Sequence, residues 1–256
     1  MVKFLALAAV VAFATANMRV VNGTGVPFGK YTYVTSLREN EHFGTFCGAS
    51  LVAPKILVTA AHCAETPWAR YASIGSHYSA GDDDGERIKI VKRTLHPKYN
   101  KATRFDYDVA VFELETASTF PPVKLNWDED QFTAPGAVSW ARGFGSIYFD
   151  GPDSPVLLEA DVAIWENSKC HAAVNDTPNK WNVTSSMICA GGADKDTCNG
   201  DSGGPLTVVR NGEEYLVGVT SWHSRDDCSI PGIPSVYARI SELRDFIEPF
   251  LPEAAC

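Results

Sequence analysis

The sequence lacks the features that mark several common classes of protein. Its seven cysteines include no C-x-x-C pair, which argues against a zinc module. Beyond residue 16 it has no apolar run long enough for a transmembrane helix, and it has no internal repeat or low-complexity tract. Basic residues are fewer than acidic ones, 22 against 31, and the formal net charge is −9. This balance argues against binding to nucleic acid or to an anionic membrane surface.

The first sixteen residues, MVKFLALAAVVAFATA, have the pattern of a secretory signal peptide. Lys3 forms a basic start, a short apolar run follows, and Ala14 and Ala16 give the small-residue pattern of a cleavage site. A buried N-terminal helix is the less favoured interpretation, because no amphipathic period interrupts the run. We expect residues 1–16 to be removed and the mature protein to be soluble, secreted and extracellular, where its cysteines can form disulfides.

Most of the remaining chain has the pattern of short strands separated by turns. The run that starts at Pro205 contains Asn211-Gly212 between two β-branched segments, which indicates a hairpin. The last apolar residues recur at helical spacing and predict an amphipathic helix from about Ser241. The proline-rich stretch 118–136 is the best candidate for a crossing between two halves. This pattern predicts an all-β barrel or sandwich that ends in a helix.

Three segments together provide the residues for acyl transfer by a serine. His62 lies in the small, apolar context VTAAHC, Asp108 leads into the apolar run DVAVFEL, and Ser202 is enclosed by glycines in GDSGG. This chemistry needs a hydroxyl, an imidazole that accepts its proton and a buried carboxylate that orients the imidazole. Each segment alone is weak, because a histidine beside a cysteine is usually packing and an aspartate before a strand is usually a cap.

The order of these residues separates the possible folds. Gly200-x-Ser202-x-Gly204 also matches the nucleophile elbow of α/β-hydrolases, but that class needs an acid and then a histidine after the serine. Only His223 follows Ser202, with no aspartate between them. A secreted α/β-hydrolase esterase is therefore disfavoured, and the order histidine, aspartate, serine is that of the chymotrypsin class.

The motifs TAAHC, DVAVFEL, GDSGGP and Ser221-Trp222, in this order, resemble the trypsin/chymotrypsin family of serine endopeptidases from Val20 to the terminal helix. The resemblance implies two six-stranded antiparallel β-barrels packed together, with a C-terminal helix and the site in the cleft between them. It implies that His62 is the general base, Asp108 its orienting carboxylate and Ser202 the nucleophile. The backbone N–H groups of Gly200 and Ser202 would form the oxyanion hole.

The same resemblance assigns separate roles to two aspartates near the serine. Asp196 matches the floor of the primary specificity pocket of trypsins and would pair with Arg or Lys of a substrate. Cleavage after Arg19 would free Val20, whose ammonium would pair with buried Asp201 and switch a zymogen on. The alternative, that MRVVNG is only an ordinary strand start, stays open. We thus expect a propeptide at residues 17–19 and one protease domain over residues 20–256.

Two residues depart from the family pattern around the expected substrate pocket, to which Ser221 and Trp222 also belong. His223 and Ser235 both stand where trypsins usually have glycine. Each adds side-chain atoms where a basic substrate side chain would lie. His223 either extends into solvent or narrows the pocket.

Several further residues carry expectations about modification and metal binding. By resemblance the disulfides are Cys47–Cys63, Cys170–Cys189 and Cys198–Cys228, which leaves Cys256 as a free or intermolecular thiol in an expected monomer. N-x-Ser/Thr sequons predict glycosylation at Asn22, Asn175 and Asn182. Some trypsins bind calcium in a loop that corresponds to 75–87, but Ser76 replaces one usual glutamate ligand. We therefore expect no metal and no cofactor.

The resulting hypothesis is a secreted, zymogen-activated endopeptidase that cleaves after Arg or Lys. Its expected partners are polypeptide substrates and proteinaceous protease inhibitors, and neither nucleic acid nor membrane is expected. The alternative is a secreted, non-catalytic homologue that binds or inhibits another protein. The complete set of three catalytic residues favours the first, whereas the unusual pocket residues suit the second.

Overall fold

Residues 21–177, 181–223 and 228–252 are described by a computed structural model of the chain. The expected signal peptide, the activation residues Arg19 and Val20, and Cys256 lie outside these described residues.

The first half of the chain forms a closed antiparallel barrel. The short strand β1 Thr24–Gly25 precedes the barrel. The six strands of the barrel are β2 Val34–Arg38, β3 Cys47–Ala53, β4 Ile56–Thr59, β5 Tyr71–Ile74, β6 Glu86–Leu95 and β7 Ala110–Leu114. The barrel order is β2-β3-β4-β7-β6-β5, and β5 pairs with β2 to close it. All residues of β2, β3 and β4 are buried, as the apolar sequence LVAPKILVT predicts for strands inside a core.

The second half of the chain forms the other barrel. Its strands are β8 Lys124–Leu125, β9 Val138–Gly143, β10 Leu158–Trp165, β11 Met187–Ala190, β12 Pro205–Arg210, β13 Glu213–Trp222 and β14 Ser235–Arg239. The order β10-β11-β14-β13-β12-β9 closes through the pairing of β9 with β10, while β1 adds to β10 and β8 to β13. The predicted fold of two six-stranded antiparallel barrels is confirmed.

The turn and helix predictions are met with small differences. The β12–β13 hairpin turns at Asn211 and Gly212, both of which have positive φ. The terminal helical segment consists of three short pieces, Ile240–Leu243, Arg244–Ile247 and Glu248–Phe250, of which only the middle one is an α-helix. The other helices are α1 Ala61–Ala64 and α2 Asn167–Asn175. In the described part of the chain, no helix combines the length and hydropathy needed to span a membrane.

The expected crossing segment, 118–136, is not purely a linker. It contains β8, which runs parallel to β13 with Lys124 opposite Tyr215. Beside it, buried Arg142 donates to Glu214 at 3.0 Å and to the Tyr33 hydroxyl at 3.0 Å. Tyr33 precedes β2 of the first barrel and Arg142 belongs to the second, so this buried cluster holds the barrels together on the side of Arg142.

Two arginines organise the loop that in some trypsins binds calcium. Buried Arg38 donates to the carbonyl oxygens of Gly81 at 2.6 Å and Tyr78 at 2.9 Å, and Arg87 donates to Gly81 at 2.7 Å. An acidic run such as residues 81–86 ordinarily indicates a solvated turn, but Asp84 is only 9% exposed. Guanidinium groups thus supply positive charge to the loop carbonyls from within the protein.

Candidate active site

His62 is held by the turn that follows strand β4. The strand ends at Thr59, α1 makes a single turn, and the disulfide between Cys47 and Cys63 joins this turn to β3. The backbone N–H of His62 donates to Asp108 Oδ1 at 2.9 Å, and its Nδ1 lies 2.7 Å from Asp108 Oδ2. Two hydrogen bonds to the same carboxylate therefore fix both the position and the ring orientation of His62.

Asp108 is completely buried at the start of the run into β7. Its Oδ2 also accepts a hydrogen bond from the Ser221 hydroxyl at 2.5 Å. An ionised carboxylate only accepts hydrogen bonds, so His62 Nδ1 carries the proton and Nε2 is left as the basic nitrogen. Burial lowers the pKa of His62, but attraction to the Asp108 carboxylate and their hydrogen bond outweigh it, and the net shift is upward.

Ser202 lies in a tight turn between the two barrels. Its carbonyl accepts from Gly48 N–H at 2.7 Å, and Gly203 N–H donates to the Thr220 carbonyl at 2.7 Å. Gly203 has a φ of 80°, and an added Cβ there would collide with the Gly48 carbonyl and the Thr59 hydroxyl. Only glycine fits this position, because the conformation is left-handed and the backbone of the first barrel is so close.

A single cleft of about 320 Å³ brings the predicted catalytic residues together. Its lining includes the candidate base His62, the nucleophile Ser202 and the oxyanion-hole residue Gly200. The predicted pocket residues Ser221, Trp222 and His223 also line it. Sequence reasoning missed the remaining lining residues, which are Phe105, Phe149, Trp181 and Asn199. The arrangement has the parts needed for acyl transfer, namely an oriented imidazole, a serine and a glycine with φ of 91° beside it.

Asp196, the predicted floor of the specificity pocket, is sealed from this cleft. Its side chain is 1% exposed, it does not line the cleft, and its oxygens accept from the N–H groups of Gly192 at 3.1 Å and Thr197 at 2.8 Å. Burial raises its pKa to about 7, against the opposing effects of the neighbouring Ser235 hydroxyl and of both backbone donors. Ser235 is itself 1% exposed. Asp196 is thus buried outside the described cleft, and its role as the partner of a basic substrate side chain stays a prediction.

His223 does not simply extend into solvent. Its Nε2 lies 3.1 Å from Asn199 Oδ1, and both residues line the cleft. Asn199 follows Cys198 and His223 follows Trp222, and the disulfide Cys198–Cys228 joins the same two segments of chain. The hydrogen bond therefore connects two segments of the cleft lining that the disulfide also joins.

Asp201 is buried next to the candidate nucleophile. It is 1% exposed and accepts from the N–H groups of Gly145 and Cys198, each at 2.9 Å. Burial raises its pKa to about 6, against these two hydrogen bonds. Its predicted activation partner, the Val20 ammonium, lies outside the described residues, so the zymogen switch stays a prediction.

The other predicted residues fall in varied surroundings. All three implied disulfides are present, including Cys170–Cys189. Among the sequon residues, Asn182 is exposed, Asn175 is hydrogen-bonded to His171 at the end of α2, and Asn22 donates to the Asp194 carbonyl. Their glycosylation stays a prediction.

Sequence reasoning missed the aromatic wall of the cleft. The ring centroids of His62 and Phe105 are 5.7 Å apart, those of Phe105 and Trp181 5.3 Å, and those of Trp181 and Trp222 5.2 Å. Phe105 stands three residues before Asp108, which was a usable signal. Trp181 has no local signal, because its place in the cleft depends on contacts with Phe105 and Trp222, which are distant in sequence.

Comparison with known proteins agrees with this architecture. A family model described as Trypsin matches residues 20–247. Glucanase inhibitor protein 2 of Phytophthora sojae is 31% identical over 253 residues, covering 96% of this chain and 84% of that protein. Glucanase inhibitor protein 4 of Phytophthora infestans is 36% identical over 234 residues, covering 89% and 88%.

A relative named as an enzyme also matches. The proclotting enzyme of Tachypleus tridentatus is 30% identical over 257 residues, covering 91% of this chain and 66% of that protein. The family model and these relatives agree with the two barrels and the cleft between them. The chain belongs to the trypsin family.

Proposed function

We propose that this protein is a secreted binding protein that inhibits a glucanase. The observation that carries the proposal is its likeness, over nearly its whole length, to several relatives named glucanase inhibitor proteins. The sealed Asp196 supports it, because a trypsin-type peptidase needs that carboxylate to face the substrate. Inhibition would follow from the protein covering or distorting the partner's substrate groove. Secretion is part of the proposal and is supported by the signal-peptide pattern of residues 1–16.

The second candidate function is that of a serine endopeptidase, and the ordered pair of His62 and Asp108 favours it. In that function His62 Nε2 takes the proton of Ser202, whose oxygen attacks a peptide carbonyl. The N–H groups of Gly200 and Ser202 stabilise the oxyanion, and His62 gives its proton to the leaving amine as the peptide C–N bond breaks. Water, deprotonated by His62, then hydrolyses the acyl-enzyme and restores the Ser202 hydroxyl. Cleavage after Arg19 and pairing of Val20 with Asp201 would belong to this candidate, as would preference for Arg or Lys at Asp196.

Inhibition and proteolysis can be distinguished with one active-site variant. The chain cut to begin at Val20 and its Ser202→Ala variant are mixed with a panel of secreted endoglucanases, and release of reducing sugar is measured. Equal inhibition by both proteins, with an intact glucanase band on a gel, is the expected result. Inhibition that grows with time, disappears in Ser202→Ala and coincides with glucanase fragments would instead support the endopeptidase. Lack of inhibition across the panel would contradict the proposed function.

Peptide hydrolysis provides the complementary test. Chromogenic peptides that end in Arg, Lys, Phe, Leu or Ala are given to both proteins. We expect no hydrolysis of the Arg and Lys peptides above the Ser202→Ala background, because Asp196 is sealed. Strong hydrolysis after Arg or Lys by the unchanged chain alone would make the endopeptidase the better function.

A further inference from the structure

Three exposed aromatic side chains lie in neighbouring segments outside the cleft, whereas exposed Trp68 and Tyr148 lie in other segments. Phe28 is 68% exposed, Phe43 60% and Tyr78 42%, and the rings of Phe28 and Tyr78 have centroids 6.3 Å apart. None of the three lines the cleft that contains His62 and Ser202. Exposed aromatic groups that gather on one surface are typical of protein interfaces.

Backbone hydrogen bonds bring these aromatics and an acidic loop onto one surface. The N–H of Gly81 donates to the His42 carbonyl at 3.2 Å, and the N–H of Thr45 donates to the Ser79 carbonyl at 2.9 Å. Segment 42–45, which carries Phe43, therefore lies beside segment 78–83. We call the surface formed by Phe28, Phe43, Tyr78, Asp82 and Asp83 the aromatic–acidic face.

Among the described residues, one histidine is the only basic side chain within salt-bridge distance of the acids of this face. Asp82 lies 3.1 Å from His42 Nδ1, and no Lys or Arg in the described ranges is within salt-bridge distance of Asp82 or Asp83. In contrast, Asp84 is buried and its Oδ1 lies 3.7 Å from Arg87. The face therefore presents two exposed carboxylates next to apolar rings, while Arg38 and Arg87 contact the backbone of the loop.

The backbone beneath the face is fixed before any partner binds. Buried Arg38 holds the carbonyls of Tyr78 and Gly81, and the Asn40 side chain accepts from the N–H groups of His42 and Phe43, each at 3.0 Å. A preorganised surface loses little conformational entropy on binding. This arrangement suits recognition of a folded partner.

Resting on the proposed function, we infer that the glucanase docks on the aromatic–acidic face through a basic patch flanked by apolar side chains. Charge complementarity selects this partner chemistry, because the carboxylates of Asp82 and Asp83 are exposed and neither forms a salt bridge with a described Lys or Arg. The Phe28 and Tyr78 rings then supply apolar area that is buried on contact. The cleft with His62 and Ser202 lies outside this interface.

Binding constants of matched variants test the inference. The probes are two secreted endoglucanases, one with a basic and one with an acidic isoelectric point, immobilised for biolayer interferometry at 50 and 500 mM NaCl. The face variants are Asp82→Lys/Asp83→Lys and Phe28→Ser/Tyr78→Ser, with Asp245→Lys and Val138→Ser as exposed controls elsewhere. Thermal melts establish that each variant is folded, and Phe43→Ser replaces the aromatic double variant if that one melts early.

The expected result is that wild type binds the basic glucanase and that each face variant weakens the Kd at least about tenfold, while the controls keep it. The wild-type Kd should weaken with salt, and the Kd of the lysine variant should depend on salt much less. If the face variants keep the wild-type Kd while Trp181→Ala loses binding, the partner docks in the cleft; the inference is then wrong and the proposed function stands. If wild type neither binds nor inhibits either glucanase, both fail.

Discussion

Asn199 and His223 are joined across the cleft by a hydrogen bond of 3.1 Å between the amide oxygen and the imidazole Nε2. Asp196 precedes Asn199 by three residues in the sequence. Its side chain is only 1% exposed and does not line the cleft. In a trypsin-type enzyme the carboxylate at this position faces an open pocket. The two observations together describe a family member in which Asp196 is buried and two residues of the neighbouring cleft are hydrogen-bonded to each other.

Opening this pocket should create affinity for a cation. We expect His223→Gly/Ser235→Gly to remove the bridge to Asn199 and the hydroxyl beside Asp196, so that an arylamidine can reach the carboxylate. A charge-assisted contact of about 1.5–3 kcal/mol corresponds to about 10- to 100-fold tighter binding. Isothermal titration calorimetry with the arylamidine measures this gain, and His171→Gly, outside the cleft, is the control. Equal weak binding by all three proteins would show that the bridge does not close the pocket.

The buried carboxyl of Asp196 should make stability depend on pH. Burial raises its pKa from 3.8 to about 7, so between these values the folded state binds more protons than the unfolded state. The free energy of unfolding therefore decreases as pH rises from about 4 to about 7. Asp201, whose pKa is raised to about 6, acts in the same direction over a narrower range.

Asp196→Asn tests this dependence, because asparagine resembles the protonated carboxyl in shape and stays neutral. We expect nearly equal Tm values for wild type and variant at pH 4, and a higher Tm for the variant at pH 8. The gain in the free energy of unfolding should be of the order of a few kcal/mol. The exposed Asp194→Asn is the matched control. A variant that is less stable than wild type at pH 8 would contradict the direction of the shift.

Local sequence motifs predict those site residues whose position is set by the backbone conformation of their immediate neighbours. The His62 turn follows a buried strand, Asp108 leads into another, and the glycines around Ser202 allow its tight turn. The position of each motif in the fold follows from its neighbouring residues and from the order of strands in the family's barrels. For this reason the two barrels and the convergence of these residues could be predicted.

Contacts between separate loops could not be predicted in the same way. The bond from Asn199 to His223 and the position of Trp181 in the aromatic wall depend on how distant segments approach each other. Likewise, the composition of the acidic loop predicts a solvated turn and gives no sign that Arg38, forty residues before Tyr78, would donate into it. Side-chain hydrogen bonds over such separations have no local signal in sequence.

Arg38 and Arg87, which donate to the loop 75–87, should make the stability of the protein independent of calcium. The Gly81 carbonyl accepts from both Arg38 and Arg87, so positive charge already faces the loop oxygens. We expect the Tm to be the same with EDTA and with millimolar Ca²⁺. Arg38→Met should lower the free energy of unfolding by about 1–3 kcal/mol, since it removes the arginine donor of the Tyr78 carbonyl and leaves the Gly81 carbonyl with Arg87 alone. Arg70→Met, at an exposed neighbouring position, should change it little, and a calcium-dependent Tm in wild type would contradict the assignment.

The ordered imidazole of His62 should still activate Ser202 toward a small electrophile, even if peptides are excluded. A fluorophosphonate needs only the serine, the base and the oxyanion donors, and does not need Asp196. We expect the chain cut to begin at Val20 to be labelled, and Asp108→Asn to be labelled roughly 10³- to 10⁴-fold more slowly, because the amide no longer holds the proton on Nδ1. The labelling rate should fall as pH drops through the raised pKa of His62, since the protonated ring is no longer a base. Ser202→Ala is the control for labelling at other sites. Wild-type labelling no faster than this control, with Val20 verified as the N-terminus, would show that the ordered His62–Asp108 pair does not activate Ser202.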